Sequence, residues 1–104
     1  MDCIFCKIIE GSVPSKKVYE DDKILAFRDI APKAPTHVLV IPKKHIASAA
    51  DVKSEDAELM GHIWTAIPQI AETLGVKDSF RVLTNSGAGS GQVVFHLHFH
   101  ILAP

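Results

Sequence analysis

The stretch FHLHFHILAP, residues 95–104, places His96, His98 and His100 two apart with apolar residues between them. In a strand, residues two apart point to the same face. The alternation therefore predicts a half-buried strand over VVFHLHFHIL, residues 93–102. Phe95, Leu97, Phe99 and Ile101 would face a core, and the three histidines would share the other face. Three chemistries fit such a row. The imidazoles could simply meet water. Two or three could hold a catalytic metal, although no acidic supporting partner is evident nearby in the sequence. Or one could be a nucleophile whose neighbours set its tautomer, a role imidazole suits because it attacks at neutral pH and leaves once protonated.

Moving outward, SGAGSGQ (86–92) reads as a glycine-rich loop and FRVLTN (80–85) as a strand. A helix is predicted from Ser54 to Leu74. Ser54 would cap it, Glu55 and Asp56 sit in its first turn, and Met60, Ile63, Ile67, Ile70 and Leu74 make its apolar stripe. Pro68 should kink or split it, and Gly75 should stop it. His62 shares the opposite face with Glu58 and Gln69 and reads as solvent-facing. Earlier in the chain, KVYE (17–20) and KILAFRDI (23–30) read as strands joined through Asp21 and Asp22. DIAPKAPT (29–36) must be irregular, HVLVIP (37–42) is a buried strand ended by Pro42, and CIFCKIIEG (3–11) is a short helix stopped by Gly11. Strands, one long helix and more strands indicate an α+β fold with an antiparallel sheet.

The 104 residues suggest one domain, residues 1–104. Eleven Lys and Arg against twelve Asp and Glu leave no basic field for nucleic-acid phosphates. No run approaches a membrane span, and a cytoplasmic protein with reduced cysteines is the expectation. Cys3-x-x-Cys6 could be a redox pair, two unbonded buried thiols, or half of a zinc site that needs two more ligands, for which histidines are natural candidates.

The His-x-His-x-His row preceded by Gly91-Gln92, together with IFCKII, VYEDDKILAFRDIAPKAPTHVLVIPKKHI, TNSGAGSGQ and VFHLHFHIL, resembles the histidine triad (HIT) family along almost the whole chain. The order and spacing look most like its nucleotide-binding, phosphoramidase branch. The resemblance implies a HIT-like fold: a five-stranded antiparallel sheet, one main helix and a short N-terminal helix, dimerising about a two-fold axis. It also implies a hydrolase. His98 would attack the α-phosphorus of a purine nucleotide (an AMP or GMP derivative), giving a nucleotidyl-histidine that water hydrolyses. His100 would contact the phosphate, His96 would orient the site and His37 would support the network. Asn85, Gln92 and the residue after it match phosphate-side positions, and Asp29 matches the acid on the ribose hydroxyls. Phe5, Ile8, Val13, Phe27, Ile30 and Leu39 resemble the wall of the base pocket. Members with this Cys-x-x-Cys resemble zinc proteins, which implies a structural Zn²⁺ on Cys3, Cys6, His45 and His96.

Two departures bear on substrate choice. The residue after Gln92 is usually Ser or Thr in the family, but here it is Val93, which implies reduced or differently selective phosphoramidase activity. The branch also commonly carries a further C-terminal tail past the position of Pro104. Two other readings of the resemblance are a dinucleoside polyphosphate hydrolase and a zinc-stabilised nucleotide-binding module with vestigial catalysis.

Overall fold

A computed structural model describes residues 3–104. Helix α1 (Ile4–Glu10) precedes strands β1 (Lys17–Glu20), β2 (Ile24–Arg28) and β3 (Thr36–Pro42). Helix α2 (Ala57–Thr73), β4 (Arg81–Leu83) and β5 (Phe99–Ala103) complete the order, with short 3₁₀ turns at 49–51, 54–56 and 88–90. The strands form one antiparallel sheet in the order β1-β2-β3-β5-β4. This is the α+β architecture the sequence pattern predicts, with the five strands the family resemblance implies. Among the described residues, no helix is long and apolar enough to cross a membrane.

Both faces of the sheet are covered, which explains why ILAFR and HVLVIP are nearly continuous apolar runs. Ile24, Ala26, Val38, Val40, Phe99 and Ile101 pack with Ile63, Ile67 and Ile70 of α2. The alternate residues Leu25, Phe27, Leu39 and Ile41 pack with Cys3, Phe5 and Ile8 at α1. Period-two alternation therefore puts His37 and His100 on the α1 side, beside Leu39. Helix α1 ends at Gly11, whose φ of +89° lets its amide turn back to the carbonyls of Lys7 and Ile8.

The last strand is shorter than expected. Residues 93–98 are irregular, and β5 begins only at Phe99. The ladder between β3 and β5 stops at the Val40–Phe99 pair, because β3 ends at Pro42, which has no amide proton. The segment is held by other bonds instead: Leu97 N donates to Ile46 O (2.6 Å) and Thr84 Oγ1 donates to His98 O (2.7 Å). Phe95 consequently leaves the core and is exposed, while Leu97, Phe99 and Ile101 keep the predicted apolar face.

Helix α2 also departs from its predicted form. Its first turn is 3₁₀, and Ser54 makes no capping bond; the Asp56 carboxylate accepts from the Lys53 amide (3.0 Å) instead. Pro68 does not split the helix, because it sits on the outward face, where water can satisfy the carbonyl left without its partner. His62 is not simply solvent-facing. Its Nε2 lies 2.7 Å from Asp21 Oδ2, tying α2 to the β1–β2 turn, and Tyr19 Oη donates to the same oxygen.

Candidate active site

The three histidines that the sequence spaces evenly have three different environments. His96 is fully buried, its Nε2–H donating to Pro42 O at 2.7 Å. A carbonyl only accepts, so His96 Nδ1 is left with a lone pair. That lone pair faces a cluster. Nδ1 lies 3.4 Å from Cys3 Sγ, 3.6 Å from Cys6 Sγ and 3.2 Å from His45 Nδ1, and Cys6 Sγ is 3.4 Å from His45 Nδ1. Four ligands on a tetrahedral zinc at ~2.0–2.3 Å would stand about 3.3–3.8 Å from one another. Cys3, Cys6, His45 and His96 can hold a metal ion with little rearrangement. Their chemistry suits zinc, and the Pro42 carbonyl supplies the outer hydrogen bond that fixes a ligating imidazole. Desolvation, helped by the neighbouring thiol of Cys3, raises the Cys6 pKa.

His98 is buried and its Nδ1–H donates to the His96 carbonyl at 2.8 Å. Its Nε2 therefore carries the lone pair needed for attack. Phe5 packs against the ring in a T-shaped pair, with centroids 5.1 Å apart and planes at 87°. One residue thus joins the two parts of the site. The His96 ring belongs to the metal-binding cluster, and its backbone carbonyl orients His98.

His100 joins a different set. Its Nδ1 lies 2.8 Å from His37 Nε2, while His37 Nδ1 accepts from the Lys33 amide at 3.0 Å. Asp29 Oδ2 stands 3.4 Å from His37 Nε2, and Asp29 Oδ1 accepts from the Ala31 amide. His100 Nε2 is buried and has no hydrogen-bond partner among the described residues. Burial, with a further lowering by the neighbouring His98 and His37, pulls the His100 pKa down to about 4. Burial likewise lowers His37, against the opposing pull of Asp29, and lowers His96. All three are neutral at pH 7.

These shifts make an acid-side prediction. A base whose folded pKa is depressed takes up protons in the unfolded state first, so stability is lost as pH falls from about 6.5 toward 4. The urea midpoint is expected to drop through that window, and His100→Gln should flatten part of the slope. A midpoint that rises on acidification from pH 6.5 would contradict the lowered pKa values of buried His37, His96 and His100.

The other predicted residues fall into distinct places. Ile8, Phe27 and Leu39 are buried with Phe5 in one apolar cluster, with Val13 at its margin. Ile30 is 99 % exposed and stands apart from that cluster. Gln92 is buried with its amide committed to the chain: Oε1 accepts from Gly87 N, and Nε2 donates to Ala47 O and Val94 O. It shapes the glycine loop and has little left to offer a phosphate. Asn85 is half-buried beside Gly91, whose φ is +97°, and Val93 is 86 % exposed. Sequence reasoning missed the Lys33 amide and the Pro42 carbonyl. Backbone groups leave no side-chain signature, although the two prolines flanking Lys33 hinted at a stiffened loop.

The family model of the HIT domain matches residues 10–104. The chain is a member of the HIT family. The protein HitA of Neisseria gonorrhoeae is 46 % identical over 101 residues, covering 97 % of this chain and 94 % of that one. A HIT family hydrolase from Clostridium thermocellum superposes with a TM-score of 0.95 at 44 % identity, over 99 % of this chain and 90 % of that one. A histidine triad nucleotide-binding protein from Candida albicans superposes at 0.88 and 36 % identity, over 96 % and 73 %.

Proposed function

We propose that this HIT protein is a nucleotide hydrolase or transferase acting at the α-phosphate, with purine nucleoside phosphoramidates as its substrate class. The observation that carries the reading is the His98 hydrogen bond to the His96 carbonyl, which leaves Nε2 as a free nucleophile in a buried site. The similar Clostridium thermocellum hydrolase and Candida albicans nucleotide-binding protein support its hydrolase and nucleotide-binding parts.

In the proposed course His98 Nε2 attacks phosphorus and an N–P bond forms as the bond to the leaving group breaks. The leaving group departs with the bonding pair and takes its proton from solvent, since Val93 offers no hydroxyl. His100 Nε2–H is the unpaired buried donor suited to a phosphoryl oxygen on which charge builds. Water then attacks phosphorus, the N–P bond breaks, the lone pair returns to His98 and the proton goes to solvent. Asp29, at the start of the 29–36 connection, is the candidate partner for the ribose hydroxyls, since a carboxylate accepts from two vicinal donors. Phe5, Ile8, Phe27 and Leu39 supply the apolar wall for the base.

Cys3, Cys6, His45 and His96 would hold a zinc ion. A closed four-ligand site supplies tethering of the N-terminus to the triad segment, with no open position for Lewis-acid chemistry. A cytoplasmic setting suits thiols that must stay reduced to bind it. The reading includes a two-fold homodimer that covers the edge strand β4 and the exposed Trp64 on α2, and the mass in solution by light scattering checks it.

Adenosine phosphoramidate is expected to turn over faster than diadenosine polyphosphate, with a trapped nucleotidyl adduct on His98 found by mass spectrometry. Val93→Ser should raise phosphoramidate kcat, by up to about 10²-fold, because it restores a proton donor at the leaving group. Faster turnover of the dinucleotide would move the assignment to the polyphosphate hydrolases. Tight nucleotide binding without turnover or adduct would leave a binding module.

A further inference from the structure

We infer that the backbone amide of Lys33 sets the tautomers of His37 and His100, which makes the Ala31–Pro35 connection a positioning element of the site. An amide N–H can only donate. Standing 3.0 Å from His37 Nδ1, it forces that nitrogen to accept, so the single proton of neutral His37 sits on Nε2. That proton faces His100 Nδ1 at 2.8 Å, which must accept in turn. The one proton of neutral His100 is then on Nε2, the buried atom without a partner. A main-chain group on the loop thus decides that the inner end of the relay is a donor.

The opposite tautomers would reverse the chemistry. With the proton on His37 Nδ1, its Nε2 lone pair would face His100, which would place its proton on Nδ1. His100 would then turn a lone pair toward an anionic phosphate. The loop is built to prevent this. Asp29 Oδ1 is fixed by the Ala31 amide at 2.8 Å, and Asp29 N donates to His37 O at 3.0 Å. Asp29 Oδ2, 3.4 Å from His37 Nε2, favours a proton on that same nitrogen. Pro32 and Pro35 restrict the backbone on either side of Lys33.

Asp29, His37 and His100 also have the spacing of three possible metal ligands. The tautomer argument separates the two readings. A proton on His37 Nε2 occupies the lone pair a metal would need. The 2.8 Å separation of the ring nitrogens is a hydrogen-bond length, shorter than the ~3.3 Å that two imidazoles span on a tetrahedral zinc.

The proposal rests on the phosphoryl-transfer reading for its kinetic arm only. Long-range ¹H–¹⁵N spectra of the wild-type imidazoles should show both His37 and His100 as Nε2–H tautomers. Lys33→Pro deletes the donor and should shift the His37 tautomer population, lowering phosphoramidate kcat by about tenfold or more with KM little changed. Lys33→Ala keeps the amide and should leave both tautomers as they are in the wild type. A wild-type His37 protonated on Nδ1, or a Lys33→Pro protein with unaltered tautomers, overturns the proposal. So does a Lys33→Ala protein with altered tautomers, which would implicate the side chain. If Lys33→Pro does not fold, the wild-type spectrum alone decides. Absence of wild-type turnover defeats the enzymatic reading and leaves the spectroscopic arm intact.

Discussion

His98→Ala is expected to lower kcat on adenosine phosphoramidate by about 10⁴-fold or more while nucleotide affinity changes only a few-fold. The asymmetry follows from where the ring is held. His98 Nδ1–H is committed to the His96 carbonyl, and the T-shaped contact with Phe5 restrains the imidazole. In the proposed tautomers nothing else in the row has a free nucleophilic nitrogen: His96 is bonded through Nε2 and faces the cysteines through Nδ1, and His100 accepts from His37 at Nδ1 and carries its proton on the unpartnered Nε2. Removing the His98 ring should therefore abolish the covalent adduct as well as the rate. A variant that keeps a tenth of wild-type kcat, or that still forms an adduct at another histidine, would sink the nucleophile assignment. Circular dichroism and thermal unfolding of the variant exclude misfolding as the cause.

Removal of metal should have the second large effect, on stability. A zinc ion that binds the folded chain at a thousand times its Kd would contribute about 4 kcal/mol. In a domain of this size that corresponds to a fall in Tm of roughly 15–30 °C when the ion is chelated. Cys3→Ser should lower the zinc content, measured by emission spectroscopy on chelator-free protein, from near one per chain to near zero. The fall in Tm should track that loss, and chelation should have little further effect on the variant. Turnover is expected to fall with it, because His96 carries both the cluster and the carbonyl that orients His98. Protein purified without chelator that holds no metal and shows an EDTA-independent Tm would refute the zinc site.

The sequence was informative wherever side-chain pattern meets a regular backbone. KVYE, the apolar stripe of α2 and the turn at Gly11 lie where periodicity and glycine put them. Cys3, Cys6, His45 and His96 converge in space although up to 93 positions separate them in the chain. Their grouping was legible only through the family resemblance, since spacing alone left their partners open.

Where pattern misled, the cause was the missing partner. The alternation of residues 95–101 suggested one strand with one histidine face. An alternating sequence forms a strand only where a neighbour offers a ladder, and Pro42 ends that neighbour. The triad accordingly divides: His96 and His98 lie on irregular chain and His100 lies within β5. His62 read as a solvated residue because its own helix says nothing of Asp21, which the β1–β2 turn brings beneath it.

By itself, the sequence determined the apolar periodicity, the turns and which imidazoles and thiols were present to do chemistry. Tertiary structure alone decided which nitrogen of His37, His96 and His98 faces a backbone donor or acceptor. That choice is made by the carbonyls of Pro42 and His96 and the amide of Lys33. These groups occur identically in every residue of any chain except proline's amide, so only their position in the fold distinguishes them.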